Sequence, residues 1–509
     1  MKSFMNFEKY LNNHALSYFI LIVFSLFFFF FQDPYVDLFQ NYDQEFWNTY
    51  HALVLFSGYN QELFNDPGHL NYLLFSYYLK IINFLNIAEI PTIDQLNSSN
   101  IFVKEINNIV FHSRIFGFCT TITLYILIIE LMKEFEIKYI LPLTLILITG
   151  NGLLTHVSQY RVEPMTLLLF LISLKFLIIF LKNNFYNIFY LFLFNFFLIL
   201  SIINKVQIIF YAPFYILIIL LIKKNEFSYV KINNLINYKN TYFKRFLFTT
   251  LLVFFFIFFR SEQPHSIFYL IIIYFSYIAC LIIVLNHNNL LKILTLNNLC
   301  LISAFILIYI FTTYVSNATK EIYWVFFRIS KIRGYLDPSL GGIDTFLWIK
   351  NFSYLAITYI ISNTKNLFSL TTNNIIFFVI IFLLLTQKKY KFTKVSYVVL
   401  IIYFTIQYIT QFRSLHYYYL IYFDWLIILT LGFVITNINI KPYIKILLLL
   451  FFFTNNIYLN INTKNLLEIN SNFFNKNHYC STKEIYTPYG AWSYFSARIS
   501  KEKIEILCK

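Results

Sequence analysis

Of 509 residues, 59% are hydrophobic and 22% aromatic, while 12% are charged, about half the ~25% that a water-soluble domain carries. A chain so poor in charge cannot clothe itself in polar side chains, so much of its surface must face hydrocarbon, as in a polytopic membrane protein. With Gly 10 and Pro 10, it is neither collagen-like nor disordered. The formal charge of +15 would point to nucleic acid in a soluble domain. Here the densest basic stretches, Lys223 to Arg245 and Lys388, Lys389, Lys391 and Lys394, lie between long apolar runs, where cytoplasmic loops belong. No nucleic-acid partner is expected. The excess of Phe, Ile, Asn, Lys and Tyr has the pattern of AT-rich codon usage, so single aromatics are discounted as functional signals.

Apolar runs occur at 15–31, 109–132, 138–154, 164–181, 186–203, 206–222, 246–259, 267–285, 295–314, 373–386, 396–411, 417–436 and 443–458. These amount to about a dozen or more spans of bilayer length, and the predicted fold is an all-α polytopic bundle. No small-residue cleavage site follows the first run, which reads as a retained helix. With the amino terminus in the cytoplasm and strict alternation, both lysine clusters fall inside, together with Lys133, Lys138, Lys182, Lys441 and Lys445. The membrane domain is then 1–458. Its outer face carries 32–106, a turn near 260–266 and a long loop at 315–370, and a small outer segment follows at 459–509.

The first outer loop is the most unusual. Residues 32–79 hold Asp33, Asp37, Asp43, Glu45, Glu62 and Asp66 and no Lys or Arg. Asp43 to Phe56 has the spacing of an amphipathic helix lying on the membrane, with Gly58 as its stop. Asp66-Pro67 has the pattern of an N-cap and first helical residue for a second helix running through NYLLFSYYLKIINFL. Capping alone is one reading of Asp43 and of Asp66.

An acidic cluster after the first span, an amphipathic helix ending in Gly58, and Asp66-Pro67-Gly68-His69 leading an apolar helix together resemble the first outer loop of GT-C fold glycosyltransferases. Further matches come in order: Arg114 opening the second span, Arg161 and Glu163 starting the fourth, and Asn204-Lys205 between two short apolar helices. The likeness covers about residues 15–222. It implies a multi-pass enzyme of the cytoplasmic (inner) membrane, with its active site outside the cytoplasm. It would use a polyprenyl-phosphate-linked sugar donor and a glycan, lipid or protein acceptor, with inversion.

Such transfer needs a base for the acceptor hydroxyl and cations for the departing phosphate. Asp43 is the expected base and Glu45 the second candidate, both at headgroup height. Lys205, Arg260, Arg328, Lys331, Arg333 and Arg413 are the expected lipid-phosphate ligands. The 328–333 cluster stands out because outer loops are normally poor in cations, although attraction to anionic lipid is an alternative. Asp66, His69, Arg161, Glu163 and His416 are candidates for substrate or acceptor binding. For Arg161 and Glu163 the alternative is mutual pairing as structural glue, and for Lys205 it is snorkelling to the interface. His51 and His69 share the acidic loop, but their spacing matches no standard metal pattern, and no cofactor is expected. The chain has no glycine-rich phosphate loop, which argues against sugar nucleotides or ATP.

Cys119, Cys280 and Cys300 fall in apolar segments as packing residues, whereas Cys480 and Cys508 would close a disulfide in an oxidising compartment. The tail's YTPYGAWSYF stretch reads as a small folded cap. Two other functions fit a basic polytopic chain. A lipid-linked sugar flippase or transporter would show interrupted helices with charges near the midplane. An O-antigen polymerase or ligase would place its key residues in the 315–370 loop.

Overall fold

A computed structural model describes residues 11–31, 45–59, 68–183, 187–205, 241–259, 290–316, 421–438 and 440–471, with a few single positions elsewhere. Every regular element among them is a helix: α1 (His14–Phe31), α2 (Glu45–Phe56), α3 (His69–Phe84), α4 (Ile93–Ser98), α5 (Phe102–Glu134), α6 (Ile140–Ile148), α7 (Asn151–Val157), α8 (Val162–Lys182), α9 (Ile188–Asn204), α10 (Thr241–Phe259), α11 (Leu290–Ser316), α12 (Ile421–Asn437) and α13 (Pro442–Ser471). Four are long and apolar enough to cross a membrane: α1, α5, α8 and the Leu291–Ile308 part of α11. Shorter apolar helices occupy Ile188–Asn204, Asp424–Asn437 and Pro442–Tyr458. The chain is therefore an all-helical protein built for a membrane, and Phe19, Phe27, Phe30 and Phe31 of α1 stand exposed as lipid-facing groups do.

Cross-links between helices fix their directions. Lys182 pairs with Glu134, joining the carboxyl ends of α8 and α5, while the first turn of α8 lies by the Arg114 end of α5, so these two helices are parallel. Residues 135–161 must therefore travel back along the bundle. Tyr18 of α1 donates to Glu130 of α5, and Asn204 at the end of α9 donates to Val162 O at 3.1 Å and Thr166 Oγ1 at 2.8 Å, at the start of α8. Both pairs are antiparallel. α12 runs with α5 and α8, because Lys138 N–H donates to Thr436 Oγ1 at 2.8 Å near its carboxyl end. Alternating direction is what the spacing of the apolar runs leads one to expect.

Three expectations change. The run 138–154 is not one helix: α6 ends at Ile148 with Thr149 as its C-cap, Gly150 is extended, and α7 begins at Asn151. Asp424 of α12 decides this, its Oδ2 accepting Gly152 N–H at 2.8 Å at the new helix start. The second loop helix does not begin at Asp66-Pro67. Its N-cap is Gly68 at φ +124, with no side-chain cap, and a Cβ there would meet Val162 Cγ1 at 2.4 Å. Third, α13 continues to Ser471, past the expected end at 458.

The expected stop at Gly58 is present. It takes φ +83, Tyr59 N–H donates to Val54 O at 3.1 Å and Gly58 N–H to Leu55 O at 3.2 Å, the paired bonds of a glycine-terminated helix. Asn86 at φ 53 ends α3 in the same way, through Ile87 N–H to Ile82 O and Asn86 N–H to Asn83 O. Three packing clusters result among the described residues: a long core around α5, α6, α8 and α12, a smaller one uniting α2, α3, α4 and the start of α5, and a third between α9 and α11 around Ile199, Ile203, Ala304 and Ile308. Cys300 is buried as expected, whereas Cys119 is exposed on α5. Between α9 and α11, Asn195 Nδ2 donates to Asn297 Oδ1 at 3.0 Å, a polar tie of the sort that holds helices together in lipid.

Candidate functional site

The helix at Glu45–Phe56 is not laid on a surface. Tyr50, His51, Ala52, Leu53 and Val54 are all buried, because its polar positions meet protein groups instead of water. Glu45, at its first turn, is 3% exposed and faces Arg114 of α5, 1% exposed. Arg114 Nε lies 3.3 Å from Glu45 Oε1 and Nη2 lies 3.3 Å from Oε2. Tyr160 N–H donates to Glu45 Oε1 at 2.9 Å. A buried carboxylate is tolerated when paired and hydrogen-bonded, as this one is.

The segment Tyr160–Glu163 links this pair to a second one. Arg161 Nε donates to Glu163 Oε2 at 3.3 Å, and Lys205, at the carboxyl end of α9, donates to Glu163 Oε1. All three side chains are essentially buried. Asn204, next to Lys205, also accepts Asn71 N–H at 3.0 Å. Tyr160 O–H donates to Asn71 O at 3.1 Å, Asn48 Nδ2 to Tyr160 O at 3.3 Å and Tyr72 O–H to Asn48 Oδ1 at 2.9 Å. Two carboxylates and three cations from α2, α5, α8 and α9 thus share one polar network at the loop-side end of the bundle.

His51 and His69 border it. The His51 ring stacks on Tyr72, centroids 5.2 Å apart. Burial, and then the neighbouring His69, holds His51 down at about 3, and burial holds His69 down at about 4. Both are neutral at physiological pH and act through hydrogen bonding and packing rather than charge. Among the described residues no three His, Cys, Asp or Glu side chains converge as metal ligands do.

Deeper in the bundle, His156 Nδ1 lies 2.6 Å from Gly152 O, and its Nε2 is buried with no partner among the described residues. Asp424, 3% exposed, caps Gly152 one turn away. Buried titratable groups therefore extend from the network toward the helix break.

Of the candidates read from the sequence, Glu45, His69, Arg161, Glu163 and Lys205 come together here. The pairing foreseen for Arg161 and Glu163 is present, and Lys205 turns inward to Glu163 instead of snorkelling. Asp43, Asp66, Arg260, Arg328, Lys331, Arg333, Arg413, His416, Cys480 and Cys508 lie outside the described residues. Sequence reasoning gave Arg114 no role, and it missed Tyr160, Asn71, Asn48 and His156. Only Arg114 carried a signal, as a lone cation opening an apolar span; the others meet partners far along the chain, which no local residue pattern announces. Comparison with protein-family models, curated proteins and solved structures finds no match for this chain.

Proposed function

We propose that the chain is an inverting membrane glycosyltransferase of the GT-C type, moving a sugar from a polyprenyl-phosphate carrier to an acceptor hydroxyl on the outer face of the membrane. The observation that carries this is the convergence of Arg114, Arg161 and Lys205 with Glu45 and Glu163 at the loop-side end of the spans. Charge this costly to bury is retained where a reaction needs it. Asp43, two positions before Glu45 in the sequence, is the base in this scheme. It takes the acceptor's proton as the acceptor oxygen attacks the anomeric carbon. The bond from that carbon to the phosphate oxygen breaks, the electron pair leaves with the phosphate, and the configuration inverts. Arg161 and Lys205 answer the charge growing on the phosphate. Glu45, locked by Arg114 and Tyr160 N–H, positions the helix that follows Asp43.

The test uses the full chain in proteoliposomes with a radiolabelled polyprenyl-phosphate sugar and membrane extract as acceptor. Wild type should release polyprenyl phosphate and label a glycan, and Asp43→Asn should do neither at equal protein level. Labelling by Asp43→Asn at the wild-type rate would remove Asp43 from the chemistry.

A lipid-linked sugar flippase is favoured by one observation, the helix break at Thr149–Gly150 capped by buried Asp424, which has the form of a transporter's discontinuous helix. Movement of the labelled lipid between leaflets without transfer, abolished in Asp424→Asn, would select it.

A further inference from the structure

The amino-terminal third of α5 does more than enter the membrane. Its 33 residues span about 50 Å against a hydrocarbon core of about 30 Å, so roughly its first dozen residues stand clear of the core. A cavity of about 900 Å³ runs along this portion, walled on one side by Lys104, Glu105, Asn107, Asn108, Phe111 and Arg114, and on the other by the α3–α4 connection and Gln95 of α4. The α5 residues occupy one helix face. They grade from exposed Lys104 at the mouth, through half-buried Asn107, Asn108 and Phe111, to buried Arg114 at the floor. From Lys104 to Arg114 is about 15 Å along the axis.

The lining is chemically specific. Neither Asn107 nor Asn108 has a side-chain hydrogen-bond partner among the described residues, and Glu105 Oε2 is buried without one. Each amide offers two donors and an acceptor, and the carboxylate offers acceptors alone. Glu89 and Glu105 face Lys104 on the wall, while Arg114 at the floor is already paired with Glu45, so the cavity has no excess positive charge to attract an anion, unlike the Arg161 and Lys205 pair deeper in. Phe111 adds one flat apolar surface. Closely spaced donors and acceptors without cationic excess, beside an aromatic face, match a neutral polyhydroxylated ring, and the volume falls in the range of ligand pockets, about 300–1,000 Å³.

We infer that this cavity is a saccharide-binding site, holding a neutral sugar of one or two rings against Asn107, Asn108 and Glu105, with Phe111 under its C–H face. That the sugar is the acceptor rests on the glycosyl-transfer reading. Its floor residue, Arg114, also grips Glu45, so a sugar seated here borders the helix that follows Asp43.

The test measures binding to the full chain in detergent by saturation-transfer NMR. The probes are the methyl glycosides of glucose, galactose, mannose and N-acetylglucosamine and their 1→4-linked disaccharides, with inorganic phosphate as competitor. At least one saccharide should bind, Asn107→Ala and Asn108→Ala should each weaken it about tenfold, and phosphate should not displace it. Asp43→Asn should bind as wild type. Loss of transfer in Asp43→Asn with unchanged binding supports both ideas, whereas Asn-dependent binding by a chain with no transfer activity keeps the site and overturns the glycosyltransferase. No binding by any probe, binding indifferent to both Asn variants, or displacement by phosphate overturns the site. Because Asn107 and Asn108 are half-buried without partners among the described residues, their loss should leave folding intact, which thermal unfolding of each variant checks.

Discussion

Arg114 Nε lies 3.3 Å from Glu45 Oε1 across 69 positions of sequence, with both side chains almost wholly out of water. This contact ties the first loop to the second span, and removing either partner strands a buried charge. Arg114→Met should cost about 3–5 kcal/mol of stability. The double variant Glu45→Met/Arg114→Met should recover most of that loss, because no charge is then left unpaired. Unfolding in detergent, run as a double-mutant cycle, checks both values.

Two of the buried histidines, those on the loop helices α2 and α3, give the protein an acid limit. His51 and His69 have folded-state values of about 3 and about 4, below the ~6.5 of an unfolded chain. Their contribution is fully present above pH ~6.5, and falls as the pH drops toward the folded values, since the unfolded state binds the extra protons. At pH 5 the loss should be about 2 kcal/mol per histidine. Stability measured from pH 7.5 to 4.5 should flatten in His51→Phe and His69→Phe, and an unchanged slope would show that neither ring is the proton acceptor.

Lys205 separates structural pairing from phosphate binding. Lys205→Met leaves Glu163 with Arg161 alone, and should lower transfer about 100-fold if the ammonium also answers the leaving phosphate. Because one anion then faces one cation, protein level should hold while the rate falls. A rate equal to wild type would make Lys205 a neutralising group for Glu163 and nothing more.

Gly68 is a test of local geometry. Gly68→Ala meets both φ +124 and a Cβ contact of 2.4 Å with Val162 Cγ1, so it should cost more than about 1 kcal/mol. Adding Val162→Ala relieves that contact but neither the dihedral nor the Tyr72 ring, which the Cβ would meet at 2.8 Å, so only part of the loss should return in the same unfolding assay.

The long apolar helices were legible because their signal is local. The runs 15–31, 164–181 and 186–203 match α1, α8 and α9 within a few residues, since a stretch of bilayer length states its own case. Asp66-Pro67 was a sound local start signal and still lost. Gly68 takes φ +124, a conformation outside the helix, so the helix starts at His69.

The sequence by itself determined an all-helical membrane chain, the alternating directions of the described helices, the Gly58 stop and a polar loop worth inspecting. Burial of the Glu45 helix, the break at Gly150 and the meeting of Glu45, Arg114, Arg161, Glu163 and Lys205 were decided by tertiary structure alone. The reason is desolvation. Once these charges leave water, each must find its partner, and apart from the local Arg161–Glu163 pair those partners sit on other helices, 69 positions away for Glu45 and 272 for the Asp424 carboxylate that caps Gly152.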